Sequence, residues 1–324
     1  MTRERLSGIT SQVARVQQVL LLASLLSVVA WVWTLRAAPT LAAWGIAAPM
    51  GLLCGVLALQ FMLSVAVSRS ANRPVRLSLA MGRAVLAEMV IAVRVFGWRQ
   101  PWAWRRWADT LPATPSDTGE ARRGLVLVHG FMCNRGLWNA WQHALRGSGH
   151  AVVAVNLEPF RGSIDEYVQI IDRAVVAVTQ ASGGIPPLVV AHSMGGLATR
   201  AWLRAVPSAR QRVAHVVTIG TPHRGTWLAR WGLAVNARQM RLDSPWLRSL
   251  AAQEPADLGS LFTCWHSCAD NIVFPLGTAV LPGSEERYLP HVGHVALVDH
   301  PAVFADVCAR LNAPAAGRMD TGHR

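Results

Sequence analysis

Three side chains in the second half of the chain, Ser193, Asp270 and His294, have the types and order of a nucleophile, an orienting carboxylate and a base. Ser193 stands in Leu188-Val189-Val190-Ala191-His192-Ser193-Met194-Gly195-Gly196-Leu197, an apolar run that ends in the serine and passes into a helical pattern. A serine on so sharp a strand-to-helix turn presents its hydroxyl, and the turn admits only small flanking residues, here Ala191, Gly195 and Gly196. Alanine replaces the usual glycine at the first flank, and its methyl group still fits. Ordinary turns also place Ser beside Gly, so the weight of the motif comes from its companions.

Asp270 lies in the loop 266–275. A buried carboxylate there would fix an imidazole tautomer and stabilise the imidazolium as it forms, although loop aspartates also serve simply as turn formers. His294, between Gly293 and an apolar run, is the candidate to take the serine proton and return it to a leaving group; His291 and His300 compete for that role. His129-Gly130-Phe131-Met132 offers a tight turn that aims backbone N–H groups into a pocket. The N–H groups of Phe131 and Met194 are the expected donors to an oxyanion, the second at the positive end of a helix.

These residues need a frame. From Gly124 onward, short candidate strands at 125–128, 151–155, 188–191, 213–219, 261–265 and 286–288, most of them apolar, alternate with helical patterns at 134–146, 163–180, 195–205 and 303–311. That alternation predicts a mostly parallel sheet with helices on both faces. In such sheets chemistry gathers beyond the carboxyl ends of the strands, where every candidate above falls. After Gly220-Thr221-Pro222-His223-Arg224-Gly225-Thr226, about 35 residues pass before the next strand, long for a plain connection. Its Trp227, Leu228, Trp231, Leu233, Trp246 and Leu247 fit a lid-like insertion at about 223–260, or a helical layer packed on the sheet.

Together, His129-Gly130-Phe131, Ala191-His192-Ser193-Met194-Gly195-Gly196, Ile219-Gly220-Thr221-Pro222-His223-Arg224-Gly225, Asp270-Asn271-Ile272-Val273 and Val292-Gly293-His294-Val295 resemble the α/β-hydrolase superfamily, particularly its bacterial lipase/esterase branch (triacylglycerol lipase-like). The order Ser193, Asp270, His294 is the order of that fold. The resemblance covers about 190 residues, 124–311, and implies a Ser–Asp–His triad, the oxyanion pair above and ester hydrolysis without a cofactor. Some bacterial lipases carry Ala in the first place of the elbow, and some carry calcium or a disulfide. No calcium motif is visible here.

Residues 1–123 lie outside the resemblance. The chain is formally +13 with no lysine, and its first 123 residues hold 14 Arg against five acids. That excess flanks strongly apolar segments instead of forming a basic face, which argues for a membrane surface and against nucleic acid. Uncharged runs at 19–35 and 37–68, the second with its best span at 46–67, predict a transmembrane helical hairpin. Pro39, Thr40 and Gly45 are expected in its connection, and Trp31, Trp33 and Trp44 cluster near it. Arg3, Arg5 and Arg15 precede the first run, Arg69, Arg73, Arg76 and Arg83 follow the second, and only Arg36 lies between. The positive-inside rule then puts both ends, and the catalytic domain, on the cytoplasmic side of the inner membrane. A cleaved signal peptide with a secreted or periplasmic product is the alternative, but it leaves the second run unexplained.

The expected organisation is a membrane hairpin at 1–74, an Arg/Trp-rich amphipathic segment and linker at 75–123, a catalytic domain at 124–312 and a tail at 313–324. The 75–107 stretch fits a helix at the bilayer interface equally with one packed on the catalytic domain. Of five cysteines, Cys264 and Cys268 are near enough in sequence to pair in an oxidising compartment, and their spacing with His266 matches no zinc pattern. The expectation is a membrane-tethered serine hydrolase of carboxylic esters with apolar acyl chains, acting on a lipid or small ester. An acyltransferase using the same triad and a non-catalytic membrane scaffold are the alternatives.

Overall fold

Six short strands pair side by side into one parallel sheet: β1 (Leu125–Val128), β2 (Val152–Ala154), β3 (Leu188–His192), β4 (His215–Ile219), β5 (Phe262–Ser267) and the charged edge strand β6 (Glu285–Leu289). Their order is β2-β1-β3-β4-β5-β6, and every pairing is parallel. The computed structural model describes residues 10–68, 78–112 and 121–314. The strand positions follow the expected ones to within two residues at either end.

The inner strands are buried on both faces, which is why they read as continuous apolar runs. Side chains alternate between two cores. Val126, Val128, Val189 and Val216 meet α5 (Val168–Ala181) and α6 (Met194–Ala205) on one face. Leu125, Leu127, Val190 and Ile219 meet Trp138, Trp141 and α9 (Pro301–Asn312) on the other. The expected helix at 134–146 is instead a 3₁₀ turn, Arg135–Trp138, followed by the short α4 (Asn139–Ala144). The one at 163–180 likewise opens with a 3₁₀ turn capped reciprocally by Ser163 and Glu166 before α5 begins.

Ahead of the sheet, α1 (Gln12–Thr34) and α2 (Pro39–Val67) pack as a hairpin, both long and apolar enough to cross a membrane. The connection is shorter than expected. Pro39, Thr40 and Gly45 belong to α2, because proline suits the first helical turn, where its missing N–H has no helical partner. Gly45 lies against the Trp31 ring, which bonds the Leu41 carbonyl at 3.0 Å. The hairpin is bare along most of its length, with Leu26, Trp33, Ile46 and Leu52 all largely exposed.

Its feet are anchored. Ser11 accepts from Asn134 Nδ2 at 3.1 Å, Gln18 donates to the Pro101 carbonyl at 2.6 Å, and Ser68 accepts from the Leu276 N–H at 3.1 Å. Phe61 and Val65 of α2 join Met81 and Ala84 of α3 (Leu79–Arg94) and Ala269 in a small apolar cluster. Thus α3 packs on the catalytic domain through Met81, Ala84, Glu88 and Ile91, while Leu86, Val90 and Val93 stay exposed. Arginines 3, 5, 69, 73 and 76, residues 113–120 of the linker and residues 315–324 of the tail lie outside the described residues.

Candidate active site

The strand order reverses direction between β1 and β3, and the loops beyond those two strands carry His129-Gly130-Phe131 and Ser193. That is where a doubly wound sheet opens a crevice for a ligand. Ser193 sits at φ 54° and ψ −127°, an unfavourable conformation for a residue with a side chain, as the N-cap of α6. Its backbone is fixed from several directions. The Ser193 N–H donates to the Ile219 carbonyl at 2.9 Å, and its carbonyl accepts from Thr221 Oγ1 at 2.9 Å. The elbow passes so close to β1 that a methyl group on Gly195 would lie 2.6 Å from the carbonyl oxygens of Val128 and His129. The small residue read from sequence is a steric requirement.

Asp270 and His294 meet directly. Asp270 Oδ2 is 2.9 Å from His294 Nδ1, and both side chains are buried. The other carboxylate oxygen, Oδ1, accepts from the N–H groups of Ile272 and Val273 at 2.9 and 2.7 Å, which locks the group in place. Gly220, at φ +54°, lies where a β-carbon would come within 3.0 Å of Asp270 Oδ2 and 3.1 Å of His294 Nδ1, so only glycine fits beside the pair. Burial opposes the charged imidazole of His294. The Asp270 charge and hydrogen bond, with Glu88 further off, outweigh it and hold the His294 pKa above the ordinary histidine value. The competitors have other work: His300 caps α9 by accepting from the Ala302 N–H, and His291 lies 3.9 Å from Cys268 Sγ.

Ser193, His294, Phe131 and Met132 line one cavity of about 470 Å³, whose wall is overwhelmingly apolar. Met194, buried, is the first residue of α6 directly after Ser193. Among the described residues, neither the Phe131 nor the Met194 N–H donates a hydrogen bond. The loop carrying Phe131 is held by His129, whose Nε2 accepts from the Leu157 N–H at 2.9 Å while Nδ1 donates to the Gly130 carbonyl at 2.9 Å. Burial drops the His129 pKa to about 4, so the ring is neutral in this structural role. His192 is likewise buried and kept neutral, and its Nε2 lies 3.2 Å from the His294 carbonyl.

Sequence reading missed Glu88. This α3 carboxylate accepts from the N–H groups of Val295 and Ala296 at 2.8 and 2.9 Å, clasping the loop of His294 from outside the catalytic domain. Burial raises its pKa against those two bonds. The signal available was a single acid in an otherwise apolar and basic stretch. Asn271 was also missed as a support: its Oδ1 accepts from the His294 N–H at 3.2 Å, and its Nδ2 donates to Gln60 of α2 at 2.8 Å.

The insertion forms a 3₁₀ turn (Trp227–Trp231), α7 (Val235–Gln239) and α8 (Pro245–Ala252). Leu228, Ala229, Ala237 and Met240 from it line the cavity, and Trp246 Nε1 ties it to Asp165 at 2.8 Å. All five cysteines are free, and among the described residues no cluster of His, Cys, Asp and Glu is disposed to hold a metal.

Residues 125–263 match the family described as alpha/beta hydrolase fold. A triacylglycerol lipase of Pseudarthrobacter phenanthrenivorans is 36% identical over 131 residues, covering 38% of this chain and 38% of that protein. One from Burkholderia plantarii is 36% identical over 131 residues, 38% of this chain and 34% of its own length. The chain thus matches little more than a third of these curated relatives. Among solved structures, Aspergillus fumigatus lipase B superposes with a TM-score of 0.53 at 20% identity, over 66% of this chain and 57% of that one. The mature form of the Bacillus licheniformis lipase BlEst2 gives 0.52 at 17%, over 62% of this chain and 95% of that one. At such identities the structural likeness speaks for the fold alone. The parallel sheet, the elbow at its switch point and the match over residues 125–263 agree on an α/β-hydrolase fold, and the curated proteins this chain resembles here are triacylglycerol lipases.

Proposed function

We propose that this chain is a membrane-tethered serine hydrolase that cleaves carboxylic esters with apolar acyl groups. The observation that carries the reading is the buried Asp270–His294 pair on the same apolar cavity as Ser193, itself on a strained elbow. Ser193 Oγ attacks the ester carbonyl and gives its proton to His294 Nε2, whose other nitrogen is held by Asp270. The carbonyl oxygen, now negative, accepts from the N–H groups of Phe131 and Met194. Collapse expels the alcohol, which takes the proton from His294, and leaves an acyl group on Ser193. Water, losing its proton to His294, then attacks the acyl-enzyme, and the proton returns to Ser193 as the acid leaves. No step needs a metal or cofactor.

Tethering follows from the hairpin's bare apolar surface, too large to be left in water, and from the arginines at both ends of it, which favour a cytoplasmic catalytic domain. Ser193→Ala should abolish hydrolysis of short p-nitrophenyl esters, at least 1,000-fold on the scale typical of a lost nucleophile, and labelling by a fluorophosphonate probe. Undiminished turnover in that variant would sink the mechanism.

A further inference from the structure

The cavity around Ser193 is not closed by the catalytic domain alone. Leu53, Val56, Leu57 and Gln60 of α2 form one of its walls, facing Leu228 and Met240 of the insertion. Beside each lining stretch, the chain carries its apolar surface out of the cavity. Leu52 and Leu59 on α2, Val93 on α3, and Trp231 and Leu233 in the insertion are all exposed, with Leu233 at 80%. Exposed apolar side chains therefore adjoin the lining on each of these elements, with the exposed Arg94 and Arg230 set among them.

Distance along α2 says where that wall lies. Leu53 is about 22 Å and Gln60 about 33 Å from the hairpin tip at Ala38, at 1.5 Å per residue. The hydrocarbon core of a bilayer is about 30 Å thick. With the tip at the far face of the membrane, the cavity wall falls at the near face, among the upper acyl segments and headgroups. The hydrogen bond from Asn271 Nδ2 to Gln60 Oε1 lies at the same level, toward the anchored end of α2.

We propose that the enzyme takes its substrate laterally from the leaflet next to the catalytic domain. One acyl chain of a membrane-resident ester lipid lies against Leu53, Val56 and Leu57 while its ester reaches Ser193. The spanning helix is thereby part of the acyl-binding site as well as the anchor. This rests on the ester-hydrolase reading above and on a spanning hairpin.

The test uses the full chain reconstituted in phosphatidylcholine vesicles, with p-nitrophenyl palmitate dissolved in the bilayer and p-nitrophenyl acetate in the water. Val56 is partly exposed, so Val56→Trp narrows the wall without overfilling a sealed core. It should lower the palmitate-to-acetate ratio of turnover at least tenfold. Met62→Trp, exposed on the side of α2 opposite the lining residues, should leave that ratio near the wild-type value. Leu53→Ala widens the wall and provides a second variant, expected to shift the preferred acyl length upward. Adding phosphatidylcholine at constant total palmitate ester should slow turnover in proportion to the ester's mole fraction in the bilayer. An unchanged ratio in Val56→Trp, or a rate that follows total ester regardless of added lipid, overturns lateral entry. Loss of all Ser193-dependent turnover in the wild type would instead overturn the hydrolase reading, so the two failures are distinguishable.

Discussion

The proposed base at His294 is surrounded by groups with opposing effects. Burial favours its neutral form, while Asp270 and, further off, Glu88 favour the charged one, and the balance leaves its pKa above the ordinary histidine value. The base must be unprotonated to act, so activity should fall as pH drops through that raised pKa and hold above it. The acid limb of kcat/KM is then expected above the ordinary histidine value of about 6.5. Glu88→Gln removes a negative neighbour and should move that limb to lower pH, wherever Glu88 itself is ionised. The same change leaves one of two buried loop amides without an acceptor, a cost of about 1–3 kcal/mol in stability. A shifted melting curve with an unmoved pH limb would reduce Glu88 to a structural clasp.

At the scale of elements, the strand ends deliver these residues, and the segments ahead of β1 brace them. Asp109 accepts from Arg135 at 2.7 Å and from the Ala154 N–H at 3.0 Å, joining the stretch after α3 to the turn before α4 and to β2. Both partners are nearly inaccessible, at 8% and 4% side-chain exposure. Burial raises the Asp109 pKa even with Arg135 beside it. Removing one partner strands the other charge in the interior, so Arg135→Ala should cost about 3–5 kcal/mol by chemical denaturation. The double replacement with apolar residues of similar volume should recover much of that loss. A double variant no more stable than the single one would show that these side chains contribute by packing and hydrogen bonds instead of charge.

For the whole molecule, hairpin and catalytic domain act as one body, because the feet of α1 and α2 are bonded into the same surface that surrounds the cavity. A charged segment on each side of an apolar hairpin predicts orientation. A fluorescent protein fused after residue 324 should fold and glow, whereas alkaline phosphatase fused there should stay inactive. An active phosphatase would place the carboxyl end outside the cytoplasm and reverse the proposed topology. Gln60, through Asn271, reaches the backbone of His294, so the hairpin also bears on the proposed base.

The chain itself carries the local facts: which runs become strands, where the elbow turns, that the serine is followed by a loop aspartate and then by candidate histidines, and two stretches long and apolar enough to cross a membrane. Each is legible because it is written in neighbouring residues, as a short continuous apolar run, a tight turn's need for small side chains, or a long uncharged run. Tertiary structure decided which histidine among His291, His294 and His300 faces Asp270, since all three occupy similar local settings. It also moved Pro39 to Gly45 from the connection into α2 and brought Glu88 to a loop 207 residues away. Periodicity tells a helix which face is apolar and says nothing about what that face will meet. The inner side of α2 reads as one more stretch of apolar helix until the fold lays it on the same cavity as Ser193.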